Sequence, residues 1–429
     1  MTTSIAEYDR DQLCSLPTLC GSAYVLNFAG MLVLSTSGAT INSLSSLIPR
    51  HNQLKSHLPL ILARFTAMTS LLDFFATPIV GRISDTVGRR PILIVSMFIS
   101  SICRYFRGRS RSLASYFFFG ATGMVAGSAF FTTMNASFAD IYTTKKSLAL
   151  ANSTLGLFRG LSFVLSPVLL GKMVGRNVRL AFNVSAGLTL STGFIMLFFF
   201  RETHTVLRRI ALKAERKRKG ITESPPLIKN PLAFMLLLTR SPRLFYLTLC
   251  NAFQEFCEPR TMGTVGQLLI NQQYKLTPTQ IGTSMFYSGI TMMLGPYFAR
   301  RYFIPNMSAF HFSSLASSCH SIALLFKSNG FPFYYYLGML PGIIGSQRIT
   351  FTNAELTTVA MEEGLGSGEV AGAKANLDSL LRVMAPILYG YMYSKDYRYP
   401  FWFGSIVTLL SQLLYRYSNN LEYKKTCSS

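Results

Sequence analysis

Apolar runs long enough to cross a bilayer recur along almost the whole chain and leave few folds open to it. A spanning helix needs about 20 predominantly apolar residues to cross a hydrocarbon core ~30 Å thick. Twelve candidates follow one another, at residues 21–48, 58–80, 92–106, 113–136, 148–174 and 178–200, then 244–270, 281–299, 307–326, 333–351, 370–391 and 401–417. The third, eighth and twelfth are short for a full crossing, so their ends are the least fixed. The expected fold class is an all-α membrane protein with twelve transmembrane helices.

Composition agrees with this. Of 429 residues, 49% are hydrophobic and only 14% charged, 34 are Phe, and mean hydropathy is +0.32, a balance that belongs to polytopic membrane proteins. The net charge of +23 is not a nucleic-acid footprint, because the basic residues sit mostly in short turns between apolar runs, where they set topology. The seven cysteines lie scattered without paired spacing, so neither a metal site nor a disulfide framework is indicated. They read as small apolar fillers. The first twenty residues hold acids and prolines rather than a basic n-region and short h-region, so the first helix is expected to serve as its own insertion signal.

Between the second and third runs lies Gly81-Arg82-Ile83-Ser84-Asp85-Thr86-Val87-Gly88-Arg89-Arg90-Pro91. Two glycines permit close backbone approach and positive φ at low cost. Arg89 and Arg90, just outside an apolar segment, hold that end in the cytoplasm, and Asp85 stands four residues before Arg89, at ion-pair spacing. The stretch resembles the signature turn of the major facilitator superfamily, G-x-L-x-D-x-x-G-R-R/K, which lies on the cytoplasmic side between transmembrane helices two and three. Gly81, Asp85, Gly88, Arg89 and Arg90 match it, and Ile83 replaces the usual Leu. The resemblance implies that Asp85 contacts the start of the eleventh span and that Arg89 pairs with an acid at the inner end of the fourth, for which Asp140 is available. Together these residues would form a cytoplasmic gate.

Loop charges place both termini inside, with the central loop 201–243 and its run Lys213, Arg216, Lys217, Arg218 and Lys219 dominating the bias. Arg104, Arg107, Arg109 and Arg111 run against it and would face outward. The resulting organisation is a cytoplasmic segment 1–20, a six-helix half 21–200, a cytoplasmic loop 201–243, a second six-helix half 244–418 and a cytoplasmic tail 419–429. Internal repetition supports the two halves: Pro167-Val168-Leu169-Leu170-Gly171-Lys172-Met173 parallels Pro386-Ile387-Leu388-Tyr389-Gly390-Tyr391-Met392, and Pro78 before the Gly81 turn parallels Pro296 before Arg300 and Arg301.

Charges inside spans are costly and mark cavities, pairs or pathways. The arginines in the runs are Arg64, Arg159, Arg260, Arg348 and Arg382, and the acids are Asp73, Glu255, Glu258 and Asp378. Arg348 is close enough to its helix end to snorkel. The seventh span is the most informative, reading Asn251-Ala252-Phe253-Gln254-Glu255-Phe256-Cys257-Glu258-Pro259-Arg260. Glu255 lies ~16 Å from the inner end at 1.5 Å rise per residue, near mid-membrane, and Glu258 shares its face. Pro259 is expected to kink the helix, which is tolerable beside a polar cavity. A carboxylate in that place can bind a proton or cation, or can be neutralised by an arginine and only hold helices together. Asp378 and Arg382 are spaced for an intrahelical pair, and Arg159 before Gly160 suits an anionic substrate or helix packing.

The fourth span lacks the arginine that the superfamily often places four residues before a glycine and that is associated with proton coupling: the positions before Gly120 and Gly123 are Tyr116 and Phe119. The fifth span keeps only Gly160, Ser166-Pro167 and Gly171 of the antiporter pattern. Residues 362–386 resemble the eleventh-helix region of tetracycline-efflux-like members. The reading is a secondary transporter, ion-coupled or facilitative, for a small organic solute with a proton as possible partner, monomeric, and without cofactor, metal or nucleic acid. The alternative is a non-transporting receptor on the same fold. An enzyme is disfavoured, and no G-x-x-x-x-G-K-S/T loop exists for nucleotide-driven pumping.

Overall fold

The computed structural model describes residues 20–22, 25, 51–142, 144–174, 178–204, 232–276 and 278–427. Most of the first apolar run and residues 205–231 of the central loop lie outside this range, as do the side chains of Arg64 and Arg260. The described residues are helical, with no strand among them. They fall into two compact units, one within Met1–Ile141 and Ser162–Pro231, the other within Tyr142–Leu161 and Leu232–Ser429.

The first unit contains α1 (His51–Val87), α2 (Arg89–Arg109), α3 (Leu113–Ile141), the second part of α4 (Lys145–Val174) and α5 (Val178–Phe199). Helix α2 packs against both α3 and α5, and α1 packs on α3. The chain does not turn at Gly81, as the sequence suggests. Helix α1 runs through Gly81 to Val87, and the reversal is concentrated at Gly88, whose φ of 117° suits glycine alone. Arg104, Arg107 and Arg109 fold back onto their own unit. Arg104 Nη1 donates to Ser185 Oγ at 2.8 Å, Arg107 lies 4.3 Å over the Tyr116 ring, and Arg109 donates to Asn183 Oδ1 at 2.8 Å. Such contacts pack the stems and hold the charges locally.

The second unit contains α6 (Pro242–Phe256), α7 (Pro259–Leu268), α8 (Pro278–Phe298), α9 (Ala309–Ser328), α10 (Arg348–Glu362), α11 (Ser367–Lys395) and α12 (Tyr399–Cys427), with the start of α4 beside them. Its seventh apolar run is broken into α6 and α7 at Cys257 and Glu258. Ser241 caps α6, accepting from the Leu244 amide ahead of Pro242 at the first turn. Residues 332–362 form three pieces, Pro332–Leu337, Met339–Gly345 and α10, so the tenth helix continues eleven residues past the expected end at Phe351. Leu244, Leu247, Leu356, Val359, Val370 and Tyr415 pack in one apolar cluster joining α6, α10, α11 and α12.

Three described helices, Leu113–Ile141, Arg179–Phe199 and Ala309–Ser328, are long and apolar enough on their own to cross a membrane. Apart from α3, which carries Asp140 near its end, the helices that carry the candidate site residues are more polar or broken, as expected of segments whose polar groups are satisfied by neighbouring helices rather than exposed to lipid.

Candidate functional site

In the first unit the charged residues of the turn converge on Arg89, which has no exposed surface. Its Nη2 lies 2.6 Å from Asp85 Oδ1, one helical turn earlier, and its Nε 3.0 Å from Asp140 Oδ2 near the end of α3. Arg89 precedes the apolar run that starts at Ile92. Burial opposes its charge, but the pull of Asp140 and Asp85 outweighs burial and raises the guanidinium above its ordinary pKa, so Arg89 is charged at any accessible pH. Glu202 completes the cluster: its carboxylate accepts from the backbone amides of Arg89 at 2.9 Å and Arg90 at 3.0 Å. These are the first, otherwise unsatisfied, N–H groups of α2, and the anion also complements the helix dipole. Arg90 Nη2 reaches the Leu197 carbonyl at 2.6 Å, tying α2 to the end of α5. His204 Nδ1 stands 3.8 Å from Asp140 Oδ1.

Asp73 lies deeper in the same unit, only 2% exposed, and its Oδ2 accepts from Ser128 Oγ on α3 at 2.7 Å.

In the second unit the polar residues gather at the break between α6 and α7. Glu258 ends the gap in extended conformation, and its carboxylate is 2.8 Å from Arg348 Nη2. Arg348 is 1% exposed and also donates to the carbonyls of Gln254 at 2.8 Å and Gly345 at 3.3 Å. It does not snorkel, as its position near a helix end suggests. The carbonyls freed where α6 stops give it a better partner than the distant interface. Thr261 Oγ1 and Tyr389 Oη donate to the Phe256 carbonyl at 2.7 and 3.0 Å, and His320 Nε2 lies 3.2 Å from the Cys257 carbonyl. The break is thus satisfied by side chains from three further helices.

Glu255 is the next-to-last residue of α6, half-buried, and its carboxylate has no ion-pair or hydrogen-bond partner among the described residues. Glu255 and Glu258 therefore differ: one is held by a guanidinium, the other is open. Arg382 Nε donates to the Asp378 backbone carbonyl at 3.3 Å within α11. Arg159 lies half-buried on α4 beside Gly160. A Cβ on Gly160 would sit 2.5 Å from the backbone of Met292 and Met293 on α8, so this glycine permits a close helix crossing.

Glu355 is a site residue that sequence reading missed. It is 2% exposed, and its carboxylate takes Arg243 Nη2 at 2.8 Å, Lys145 Nζ at 3.3 Å and Tyr415 Oη at 2.5 Å. Ending the tenth span at Phe351 placed it in a loop. The signal available was the helical spacing of Arg348, Thr352 and Glu355, which puts all three on one face.

The family model for the Major Facilitator Superfamily matches residues 26–373 of the chain. The chain belongs to the major facilitator superfamily. Its members are integral, multi-pass membrane transporters. Multidrug resistance protein 2 of Bacillus subtilis is 20% identical over 345 residues, covering 80% of this chain and 82% of that protein. The class E tetracycline resistance protein of Escherichia coli is 21% identical over 342 residues, 76% and 77% of the two chains. Among solved structures, the human organic anion transporter MFSD10 (TETRAN) superposes with a TM-score of 0.76 at 18% identity, covering 94% of this chain and 99% of that one. The proton:xylose symporter XylE superposes with a TM-score of 0.68 at 10% identity, covering 94% and 95%. At these identities the structural likeness shows the all-α superfamily fold.

Proposed function

We propose that this superfamily member carries a small organic solute across its membrane by alternating access between two six-helix halves, twelve helices in all. The observation that carries the reading is the broken seventh helix, where the open carboxylate of Glu255 sits beside the Glu258–Arg348 pair. Irregular backbone at membrane depth is tolerated where it lines a cavity, and transporters place binding groups at such breaks. Glu255 is the principal titrating or solute-contacting group of this site, with Glu258, Arg260, Arg159, Asp73, Asp378 and Arg382 as the wider pathway. The cluster of Gly81, Asp85, Gly88, Arg89, Arg90 and Asp140 acts as the cytoplasmic gate. The relatives are named for multidrug resistance, tetracycline resistance, organic anion transport and proton:xylose symport, which supports a small solute and leaves a proton as a natural coupling partner. The chain acts as a monomer.

Glu255→Gln keeps size and hydrogen bonding and removes the charge. If Glu255 couples transport, concentrative uptake by reconstituted protein is lost while exchange at equal solute concentration persists. If it contacts a cationic solute, binding itself weakens. Unaltered pH-dependent uptake by the variant would refute the assignment. Solute binding without flux in the wild-type protein would instead favour a receptor.

A further inference from the structure

The seam between α6 and α10 carries polar groups that neither the gate nor Glu255 uses. On α6, Arg243, Asn251 and Gln254 share one face by helical spacing, with Glu258 just beyond the break, and on α10 so do Arg348, Thr352 and Glu355. The two faces meet: Arg243 pairs with Glu355, Thr352 Oγ1 donates to Gln254 Oε1 at 2.7 Å, and Arg348 pairs with Glu258. Between these contacts lie polar atoms with no hydrogen-bond partner among the described residues. They are both amide atoms of Asn251, Nε2 of Gln254 and Nε of Arg348, in residues that are 0, 1 and 1% exposed. A carboxamide with both ends unsatisfied is a strong cost in a dry interior, and buried water commonly bridges such groups with about three hydrogen bonds. Arg348 and Glu355 are about 10 Å apart along α10 at 1.5 Å rise per residue, a distance a few hydrogen-bonded waters cover.

We propose that Asn251 and Gln254 hold a short file of water between the Glu258–Arg348 pair and Glu355, and that this file delivers protons to Glu258 from the end of the unit that carries Arg243. The other charged or titratable side chains near the seam or its ends are Lys145 from α4, Cys250 and, at the break, Glu255 and Cys257, His320 and Lys327 from α9, Tyr389 from α11 and Tyr415 from α12. In the transfer, an O–H bond of the adjacent water breaks and one forms on the Glu258 carboxylate. The file regains its proton from the far end, and Arg348 loses its anionic partner while keeping the Gln254 and Gly345 carbonyls. The water file stands on the seam's geometry; its value to the protein rests on the transport reading.

Two measurements on the full-length protein test this without requiring solute flux. In hydroxyl-radical footprinting, radicals formed from bound water mark adjacent side chains. Cys250, fully buried beside Asn251, is expected to oxidise at least tenfold faster than the buried Cys103 of the first unit. In Asn251→Leu that difference disappears, and Asn251→Ser, which still holds water, restores it. After a rapid drop in pH, the infrared carboxyl band of Glu258, assigned by its loss in Glu258→Gln, rises tenfold more slowly in Asn251→Leu than in wild type or Asn251→Ser. Equal oxidation of Cys250 and Cys103 in the wild type overturns the water file. An unchanged rise in Asn251→Leu, or a Glu258 band that never appears, overturns the proton route. Oxidised Cys250 and a delayed band in a protein that moves no solute would support the route and defeat the transport reading separately.

Discussion

A guanidinium without exposed surface, as at Arg89, is tolerable only while its carboxylates stay in place. Removing one partner from a buried pair typically costs about 3–5 kcal/mol, because the remaining charge is stranded. Asp140→Ala is therefore expected to destabilise the first unit by roughly that amount, reduced by the share Asp85 retains, as read from denaturant unfolding in detergent. A loss under about 1 kcal/mol would show a pair worth no more than a surface ion pair. The Arg89–Asp140 pair was legible only through the resemblance of the turn to the superfamily signature, which implies an acid at the inner end of the fourth run as partner, and the two are 3.0 Å apart. Arg348 and Glu355 were not. Each looks peripheral when helix ends are judged by hydropathy alone, and each is interior because the other residues of the seam neutralise it.

At the scale of elements, the break in the seventh span was readable from Glu258-Pro259, because a proline inside a helix frees a carbonyl and the residue before it avoids helical backbone. What the sequence did not display is how the freed carbonyls are spent, on Arg348, Thr261 and Tyr389. The contacts of Arg348 and Tyr389 join residues far apart in the chain, whereas Thr261 stands only five residues from Phe256. Position 81 misled in the other direction, since a buried glycine inside a helix looks the same in sequence as one that makes a turn. Gly160 gives an element-scale prediction. Any side chain there meets the backbone of α8 rather than a movable side chain, so overpacking cannot be relieved by a rotamer change. Gly160→Leu is expected to lower the thermal midpoint sharply or abolish monodisperse protein, whereas Gly127→Leu on α3, with nothing within 4 Å of its Cβ, is tolerated. Equal behaviour of the two variants on size-exclusion chromatography would contradict the close crossing.

For the whole molecule, apolar run lengths and the signature turn were enough to reach the superfamily fold, because a bilayer admits few solutions and repeated apolar runs mark where the chain can cross it. The assignment of the first part of α4 to the second unit was not visible, since it depends on packing against α8 and α10 rather than on any local pattern. Orientation follows from loop charge: epitope tags within residues 201–243 and at the C-terminus are expected to be protected in intact cells and labelled after permeabilisation. Surface labelling of either would invert the assignment of the gate. The central claim, that this chain is a transporter with a working site at the broken seventh helix, is tested most directly by solute uptake into proteoliposomes across a panel of small organic compounds, with and without a pH gradient. The account predicts saturable, protein-dependent flux of at least one solute that is abolished or uncoupled in Glu255→Gln. Binding of a solute with no flux under any gradient, or flux indifferent to Glu255, would contradict it.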